Sequence, residues 1–350
     1  MARSRIGVDV GSTAVRAAEL SVGSEPPTLV RAAQVRLAPG VVENGEVRQP
    51  ELLAEAMREL WQRGGFKARQ VVVGVGNQRV IVREVTLPSL PEKEMRASLP
   101  FQVQEFIPLP VDEAILDYDV IEEFTEDGRK LVRLLLVAAQ KDMVSTLVGA
   151  ASAAKLDTIG VDLVPFAIVR SIGSTATIGL DPEVGGEAVV DIGADVTNIC
   201  VHENGTPRFV RILPSGGRDV TQAIGRALGM DDEAAENAKR GQAEGEGPAP
   251  DEVDRVAFSR AGTFVDEVRS SLDFYLAQTP GARITRVVVS GGGSKLAGLV
   301  ELLRERLSTN VDRGRPFDRV SARLNLPEAE LSEAEPVLAV AVGLALPPED

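Results

Sequence analysis

The fold is decided by one stretch near the start of the chain, Ile6-Gly7-Val8-Asp9-Val10-Gly11-Ser12-Thr13-Ala14-Val15-Arg16. An apolar run carries Asp9 to a sharp glycine-rich turn and a second apolar run leads away, which is the pattern of a β-hairpin with a functional tip. Gly11 allows the backbone to approach a phosphate closely, and the amides and hydroxyls of Ser12 and Thr13 can donate to its oxygens. The hairpin therefore predicts a nucleotide phosphate loop, and a plain tight hairpin is the alternative.

A second copy of this pattern lies near the middle of the chain, in the stretch Ala188-Val189-Val190-Asp191-Ile192-Gly193-Ala194-Asp195-Val196-Thr197-Asn198. Here too an apolar strand delivers an aspartate, Asp191, to a glycine turn. Internal repetition indicates a chain built from two related halves, in which Asp9 and Asp191 would face each other. Paired carboxylates beside phosphate-binding amides offer the oxygen ligands that a hydrated Mg²⁺ prefers. Two unrelated turns with solvated aspartates are the alternative.

Composition limits the classes of function. The 350 residues, 44% of them hydrophobic, suffice for two domains or for one large two-lobed fold. The net charge of -14 argues against a general nucleic-acid binder. No apolar run approaches the ~20 residues of a membrane span and no signal-peptide pattern is present, so we expect a cytoplasmic protein. The single cysteine, Cys200, and the single histidine, His202, exclude an intramolecular disulfide and a Cys/His zinc cluster.

The periodic segments predict a mixed α/β chain with an inserted module. A strand over 29–37, a helix from Pro50 and a buried strand over 71–75 follow the first hairpin. From about 78 to 158 the pattern becomes a small α+β module. A short helix over 162–171 leads to the second half, which ends with a small-residue apolar helix over 337–346.

Two further glycine-rich turns are candidates for ligand contact. Ser290-Gly291-Gly292-Gly293-Ser294 follows a buried strand and precedes a helix, an arrangement typical of nucleotide-binding turns. A plain helix-entry loop is its alternative. The turn Pro214-Ser215-Gly216-Gly217 also permits close approach of backbone to a ligand.

An apolar ridge lies within the inserted module, on a segment bounded by Pro100 and Pro108. Its candidate contact residues are Phe101, Phe106 and Ile107. The ridge favours either packing against the neighbouring lobe or a groove for a partner peptide.

Five motifs in this order resemble those of the actin-like ATPase superfamily, the group of actin, DnaK-type chaperones, sugar kinases and FtsA. The two hairpins resemble its phosphate motifs, residues 290–294 its adenosine motif, and residues 162–171 and 337–346 its two connecting helices. The resemblance implies a two-lobed α/β fold, with duplicated ribonuclease H-like lobes and with ATP and Mg²⁺ between them. The residues that it places at the nucleotide are Asp9, Gly11, Ser12, Thr13, Arg16, Asp191, Gly193, Ala194, Asp195, Thr197, Gly216, Gly217, Gly291, Gly292 and Gly293. Asp9 and Asp191 would anchor the metal through water.

Charged residues take specific places in the same resemblance. Arg16 stands at the position of a basic side chain that reaches the β- and γ-phosphates in actin. Glu236 and Lys239 have the spacing that in DnaK-type proteins places Glu on the ribose and Lys over the adenine, and this spacing puts both on one helix face. An ordinary solvated ion pair is the alternative.

The inserted module distinguishes branches of the superfamily. The stretch Ser98-Leu99-Pro100-Phe101-Gln102-Val103-Gln104-Glu105-Phe106-Ile107-Pro108 is similar to the PilM family of type IV pilus assembly proteins. FtsA is expected to end in a basic amphipathic membrane helix, and this sequence ends Leu346-Pro347-Pro348-Glu349-Asp350. The implied domains are a first lobe, subdomain 1A, over 1–77 and 159–180, an inserted subdomain 1C over 78–158, and a second lobe over 181–350. The second lobe would comprise subdomains 2A and 2B, with 2B at about 215–285, and its helix 337–346 would cross back to the first lobe.

The PilM resemblance implies an ATP-binding cytoplasmic adaptor of the pilus assembly platform. Its partner would be the short cytoplasmic N-terminal peptide of the inner-membrane protein PilN, bound between the first lobe and the inserted module. That peptide would recruit the protein to the inner face of the cytoplasmic membrane without insertion of this chain. Other platform proteins and self-association remain open as partners. An FtsA-like cell-division protein and a metabolite kinase of the same fold are the alternatives, although no catalytic base or polar substrate pocket for a kinase stands out.

Weak or absent ATP hydrolysis is the expectation for catalysis. In-line attack on the γ-phosphate needs a side chain that orients water. In actin a glutamine on the first connecting helix does this, and the present sequence aligns Val164 there. Asp162 is the remaining candidate, because it falls where DnaK-type proteins carry a glutamate.

Overall fold

The computed structural model describes residues 4–23, 25–174, 185–242, 248–324 and 326–347. The chain begins with the first part of one lobe. Its elements are β1 (Ser4–Val10), β2 (Ala14–Ser21), β3 (Thr28–Arg36), the short hairpin of β4 (Val42–Glu43) and β5 (Glu46–Val47), helix α1 (Pro50–Gly64) and β6 (Gln70–Val75). β1, β2 and β3 form an antiparallel meander, and β6 pairs with β1 in parallel. Helix α1 begins at a proline, whose fixed φ suits the first turn, and ends before Gly65 at φ 63°.

The inserted module follows β6. Its elements, with the helix after them, are β7 (Val80–Pro88), α2 (Glu92–Gln102), β8 (Ala114–Glu126), β9 (Arg129–Gln140) and α3 (Lys141–Ala153). The three strands form an antiparallel sheet in the order β7-β9-β8, and the buried face of α2 packs on it through Met95 and Leu99. Helix α3 instead packs against α1, and its Met143 and Leu147 lie in the core of the first lobe. The segment 78–158 therefore has two parts: β7, α2, β8 and β9 form the module, whereas α3 belongs to the first lobe, which buries its apolar face.

The connection to the second lobe differs from the predicted helix over 162–171. A strand, β10 (Asp157–Leu163), pairs in parallel with β6, and the helix α4 (Val164–Ile172) begins only after it. Asp162 therefore lies on a strand, opposite Gly74. Alternation of apolar residues over 159–163 is the period-2 pattern of a strand, and Pro165 fits the first turn of the helix.

The second lobe repeats the topology of the first. Its elements are β11 (Gly186–Ile192), β12 (Thr197–Glu203), β13 (Thr206–Leu213), α5 (Gly217–Leu228), α6 (Asp232–Lys239), α7 (Pro250–Gln278), β14 (Ile284–Ser290), α8 (Leu299–Leu307) and β15 (Asn310–Arg313). The sheet order is β13-β12-β11-β14-β15, which matches the order β3-β2-β1-β6-β10 in the first sheet. Each pair of neighbouring strands in one sheet runs in the same relative direction, antiparallel or parallel, as the corresponding pair in the other sheet. The repeat in the sequence is therefore also a repeat in the structure.

Helix α4 and the last helix join the two lobes. After β15 the chain forms β16 (Ser321–Ala322), which pairs with β3 of the first sheet, and α9 (Glu328–Ala345). Helix α9 packs on β1 and β2, whereas α4 packs on β11 and β12, and the two helices cross each other between the sheets. A β-carbon added to Gly343 would lie 1.9 Å from the carbonyl oxygen of Ala167, so only glycine allows this close crossing. Within the described ranges, no helix combines the length and the apolar character needed to span a membrane.

Candidate functional site

The two hairpins have matching geometry at their tips. β1 and β2 place Asp9 opposite Arg16, and β11 and β12 place Asp191 opposite Asn198. Each turn is closed by the same hydrogen bond: the Gly11 amide donates to the carbonyl oxygen of Ala14 at 3.1 Å, and the corresponding amide of Gly193 donates to that of Val196 at 2.9 Å. Both aspartates therefore stand at the carboxyl ends of the central strands, where ligands bind in open α/β sheets.

The carboxyl groups of Asp9 and Asp191 lie near each other at these tips, with Arg16 beside them. Arg16 contacts Asp9 with an Nη1–Oδ2 distance of 3.3 Å, and both side chains are largely buried. Burial raises the pKa of Asp9 above its ordinary value, and the Arg16 charge opposes that change. At Asp191, burial and then the charge of Asp9 raise the pKa to about 7, so the two carboxylates lie close enough to repel each other. A bound cation would relieve this repulsion.

Two buried side-chain polar atoms at these hairpins have neither a hydrogen bond nor an ion pair among the described residues. They are Nε of Arg16 and Oδ1 of Asn198. Buried polar atoms are nearly always hydrogen-bonded, so such atoms beside a cleft fit a site that a bound molecule completes.

The turn before α5 is fastened to the second hairpin. The amides of Gly217 and Arg218 donate to the carbonyl oxygens of Gly193 and Ala194, each at 2.9 Å. A β-carbon on Gly216 would lie 2.6 Å from both of those oxygens. The Thr197 hydroxyl donates to the carbonyl oxygen of Ser215 at 2.7 Å and is fully buried. The structure thus gives Gly216 and Thr197 a role in holding the turn.

The turn over 290–294 joins the same place. Gly291 adopts φ 82°, and a β-carbon there would lie 2.4 Å from the Ile192 carbonyl oxygen. A β-carbon on Gly217 would lie 3.8 Å from Cα of Gly293 and 3.7 Å from Nζ of Lys239. The second hairpin, the α5 turn, the 290–294 turn and helix α6 therefore converge on one cleft wall.

Glu236 and Lys239 form a compact polar cluster on this wall. Lys239 Nζ donates to Glu236 Oε2 at 2.6 Å, to the Thr221 hydroxyl at 2.8 Å and to the Gly217 carbonyl oxygen at 3.0 Å. Burial opposes ionisation of Glu236, but hydrogen bonds from Lys239, Thr221 and Arg240 outweigh it and bring the pKa to about 2. Burial also lowers the pKa of Lys239, against the pull of Glu236. The ionised pair presents fixed charges beside the glycine turns.

Two predicted site residues are engaged elsewhere. Asp195 accepts a hydrogen bond from the Asn44 amide at 3.3 Å, in the β4–β5 hairpin of the other lobe, and pairs with Arg218 at 2.5 Å. Asp162 accepts a hydrogen bond from Arg170 of α4, and Arg170 also donates to the carbonyl oxygen of Gly343 at 3.2 Å. Asp162 therefore fastens β10 to the crossing helices.

The predicted peptide residues separate by burial. Phe101 is 83% exposed at the end of α2. Phe106 is partly buried against the core of the module, and Ile107 lies within that core at 6% exposure. Ile107 therefore belongs to the core under the ridge, and Phe101 is the part of the ridge that is open to solvent.

Asn198 and Arg218 also lie at the candidate site, although the sequence motifs do not single them out. The internal repeat carries the signal for Asn198, because it follows Asp191 at the same interval at which Arg16 follows Asp9. For Arg218 the signal is weaker: it stands next to Gly216 and Gly217, and only the fold brings it to Asp195.

Comparison with known proteins gives a family match. A family model described as type IV pilus assembly protein PilM matches residues 7–348. Among solved structures, the chain is similar to one in a PilM-PilN type IV pilus biogenesis complex, with 29% identity, a TM-score of 0.84 and 97% of both chains covered.

More distant relatives share the fold. Cell division protein FtsA of Bacillus subtilis (strain 168) is 25% identical over an alignment that covers 71% of this chain and 63% of that protein. MreB5 of Spiroplasma citri, solved bound to ADP, aligns with 97% of this chain and 94% of its own at 11% identity, with a TM-score of 0.54. These likenesses confirm the predicted two-lobed actin-like fold.

Proposed function

Because the chain belongs to the PilM family of type IV pilus assembly proteins, we propose that it is a nucleotide-binding adaptor that holds the cytoplasmic N-terminal peptide of PilN. The family membership makes it an actin-like protein of type IV pilus assembly. The nucleotide, the peptide contact and the recruitment to the membrane through that peptide are the proposed parts.

One observation carries the nucleotide proposal: the repeated sheets bring two aspartate-bearing hairpins together beside a wall of glycine turns. Ser12 is buried at the first tip and Thr13 is exposed there, and both would donate their hydroxyls to phosphate oxygens. Helix α6 supplies Glu236 and Lys239 next to the glycine turns. The ADP in the MreB5 structure shows that this fold accommodates a nucleotide in a distant relative.

The residues at the hairpin tips fit a magnesium ion. Asp9 and Asp191 repel each other, and Asn198 adds an unpartnered buried oxygen. In the described part of the chain no cluster of three or more Asp, Glu, His or Cys side chains could hold a metal unaided. Two carboxylates with water and phosphate oxygens are the usual environment of nucleotide-bound Mg²⁺. The ion would supply charge neutralisation to the phosphates, and Arg16 would add a second cation.

The peptide proposal rests on the inserted module. A chain of a solved PilM-PilN complex aligns with 97% of this chain. Phe101 gives the module an exposed aromatic anchor, and apolar pockets together with main-chain pairing are the common means of binding an extended peptide.

Hydrolysis is proposed to be weak or absent. Val164 begins α4, and its hydrocarbon side chain has no polar atom that could orient water. Asp162 is held by Arg170. Nucleotide would then act by favouring one arrangement of the lobes through its differential affinity.

Thermal denaturation of the full chain tests the proposal. Mg-ATP at about 100 times its Kd should stabilise the protein by roughly 2.7 kcal/mol, and Asp9→Ala should remove that gain. The control is Asp273→Ala, which deletes an exposed carboxylate on α7. Failure of Mg-ATP to raise the Tm of the unchanged protein would contradict nucleotide binding.

A labelled PilN peptide tests the proposed peptide contact in a separate experiment. Fluorescence anisotropy of a labelled N-terminal PilN peptide should show binding that Phe101→Asp weakens about tenfold or more, because a charge replaces the exposed anchor. Leu52→Asp, at an exposed apolar site on α1, is the matched control. Equal affinity of the two variants would exclude the ridge as the peptide site.

A further inference from the structure

The inserted module carries a groove that lies outside the candidate nucleotide site and the apolar ridge. It lies between α2 and the strands β8 and β9, with a volume of 340 Å³. Met95, Val132 and Leu134 line it and are buried, whereas Val120 on its β8 side is 47% exposed. The groove therefore offers an apolar floor next to an exposed apolar side chain.

Strand β8 is open on its outer side. The sheet order β7-β9-β8 leaves it as an edge within the described residues, and a register shift between Val120 and Glu122 interrupts its pairing with β9. Edge strands present unpaired N–H and C=O groups to an incoming chain. An extended segment could add to this edge while one of its side chains enters the groove.

Charge selects the occupant. Residues 92–127 contain eleven acidic and two basic residues, and so carry nine of the fourteen net negative charges of the chain. Asp119 and Glu123 line the groove, and no described basic group lies within ion-pair distance of either. The one basic residue of the lining, Arg96, is already neutralised by Glu92 at 3.2 Å and Asp117 at 3.3 Å, and it covers the ring of Tyr118. Unpaired carboxylates beside an apolar floor complement a segment that is both cationic and apolar.

We propose that this groove binds a short cationic segment of a partner protein, with an apolar side chain against Met95 and Leu134 and with Lys or Arg side chains against Asp119 and Glu123. A second copy of this chain does not suit the face, because a two-fold contact would set two acidic surfaces against each other. The site is separate from the ridge, since Phe101 follows Glu92 by nine residues, about two and a half helical turns, and so lies on the opposite face of α2. The inference therefore goes beyond the PilN contact.

A defined probe tests this inference on the full chain. Fluorescence anisotropy would use the labelled peptide Lys-Arg-Lys-Leu-Phe-Lys-Arg-Lys, a version with Ala in place of Leu and Phe, and a version with Glu in place of every Lys and Arg. We expect the first peptide to bind, the second to bind at least about tenfold more weakly, and the third not to bind. Binding of the first peptide should weaken as NaCl is raised.

Charge reversal locates the contact. The double variant Asp119→Lys/Glu123→Lys should weaken binding of the first peptide about tenfold or more. Glu126→Lys/Asp127→Lys, with the same change of charge at the end of β8 and outside the groove, should change it less than about twofold. Phe101→Asp should leave it unchanged, which separates this site from the PilN contact, and equal Tm values would show that the variants fold.

Three results would overturn the inference: no binding of the first peptide, equal loss in both double variants, or equal affinity of the peptide without Leu and Phe. A concentration-dependent dimer that only Asp119→Lys/Glu123→Lys dissolves would assign the face to a second copy and would overturn it as well.

Discussion

At the scale of single residues, the ionised side chain of Asp191 suits a bound cation but lowers the stability of the protein without one. It is 8% exposed, and both burial and the nearby charge of Asp9 disfavour its ionised form. A carboxylate held in this way destabilises the empty protein but is suited to a bound cation. The buried Arg16–Asp9 pair offsets only part of the charge.

Asp191→Asn should therefore stabilise the nucleotide-free protein at high pH. The pKa of Asp191 is raised from 3.8 to about 7 in the folded state, so its contribution to stability is intact below pH 4 and is lost as the pH rises through 7. We expect the free energy of unfolding of the variant to exceed that of the unchanged protein at pH 8 and to equal it near pH 4, by urea denaturation. The same variant should lose the Mg-ATP stabilisation. A less stable variant at pH 8 would show that the carboxylate has a partner that we have not identified.

Glu236 gives the opposite dependence on pH. Its pKa falls from 4.5 to about 2 on folding, because Lys239, Thr221 and Arg240 hold the ionised form against the effect of burial. This contribution is present above pH 4.5 and is lost as the pH falls through 2. Glu236→Gln should be less stable than the unchanged protein at pH 6, and the difference should shrink towards pH 2 in urea denaturation. Glu233→Gln, in the first turn of α6, is the control. A difference independent of pH would mean that the charge of Glu236 contributes nothing.

At the scale of elements, the crossing of α4 and α9 is the tightest joint of the fold. Small residues on α9, Ala339 and Gly343 among them, face α4, and they let the two helices lie close together between the sheets. Arg170 adds hydrogen bonds that reach from α4 to β10 and α9. A change at this joint acts on both lobes at once.

Gly343→Ala should be strongly destabilising, although alanine favours helices. The added β-carbon would stand 1.9 Å from the Ala167 carbonyl oxygen, so a helix must shift, and overpacking of this kind costs about 1–3 kcal/mol or more. The control is Gly149→Ala on the exposed face of α3, where nothing lies within 4 Å and where roughly 0.5–1 kcal/mol of stabilisation is expected. Urea denaturation of both variants makes the comparison. Equal effects would show that the helices move apart freely.

At the scale of the whole molecule, a second link joins the lobes at the tip of the second hairpin. Asp195 holds the Asn44 amide of the first lobe and pairs with Arg218 at the start of α5. A β-carbon on Gly45 would lie 3.6 Å from Val196, so the two hairpins are in close proximity. The link stands beside the proposed phosphate site and bridges the two lobes there.

Loss of this link should loosen the lobes. In Asp195→Ala the Asn44 amide loses its acceptor, and we expect hydrogen exchange over residues 41–47 to rise about tenfold while β9 stays unchanged. Asp195→Asn keeps an oxygen that can accept, and should retain most of the protection while losing the attraction to Arg218. Unaltered exchange in Asp195→Ala would mean that the lobes are held by α4 and α9 alone.

The sequence by itself determined the repeat and, through it, the fold. Each hairpin needs an apolar strand, an aspartate and a glycine turn in direct succession, so local pattern sufficed to locate both and to predict that Asp9 and Asp191 share one cleft. The local pattern also located the turn at Gly291. Its φ of 82° requires glycine, because a side chain at this position would clash. Spacing on one helix was enough to place Glu236 and Lys239 on the same face, where they form an ion pair.

Only the tertiary structure decided what depends on contacts between distant segments. The sequence predicts Asp162 at the start of a helix over 162–171, but pairing with β6 makes the segment 157–163 a strand and gives the carboxylate to Arg170. Helix α3 follows the module in sequence, yet the core that buries its apolar face belongs to the first lobe. The sequence predicts Asp195 as a nucleotide-binding residue, and only the fold shows that Asn44 and Arg218 contact it. Local pattern fixes which backbone conformation a segment takes, whereas the partner of a side chain is set by which elements the packing brings together.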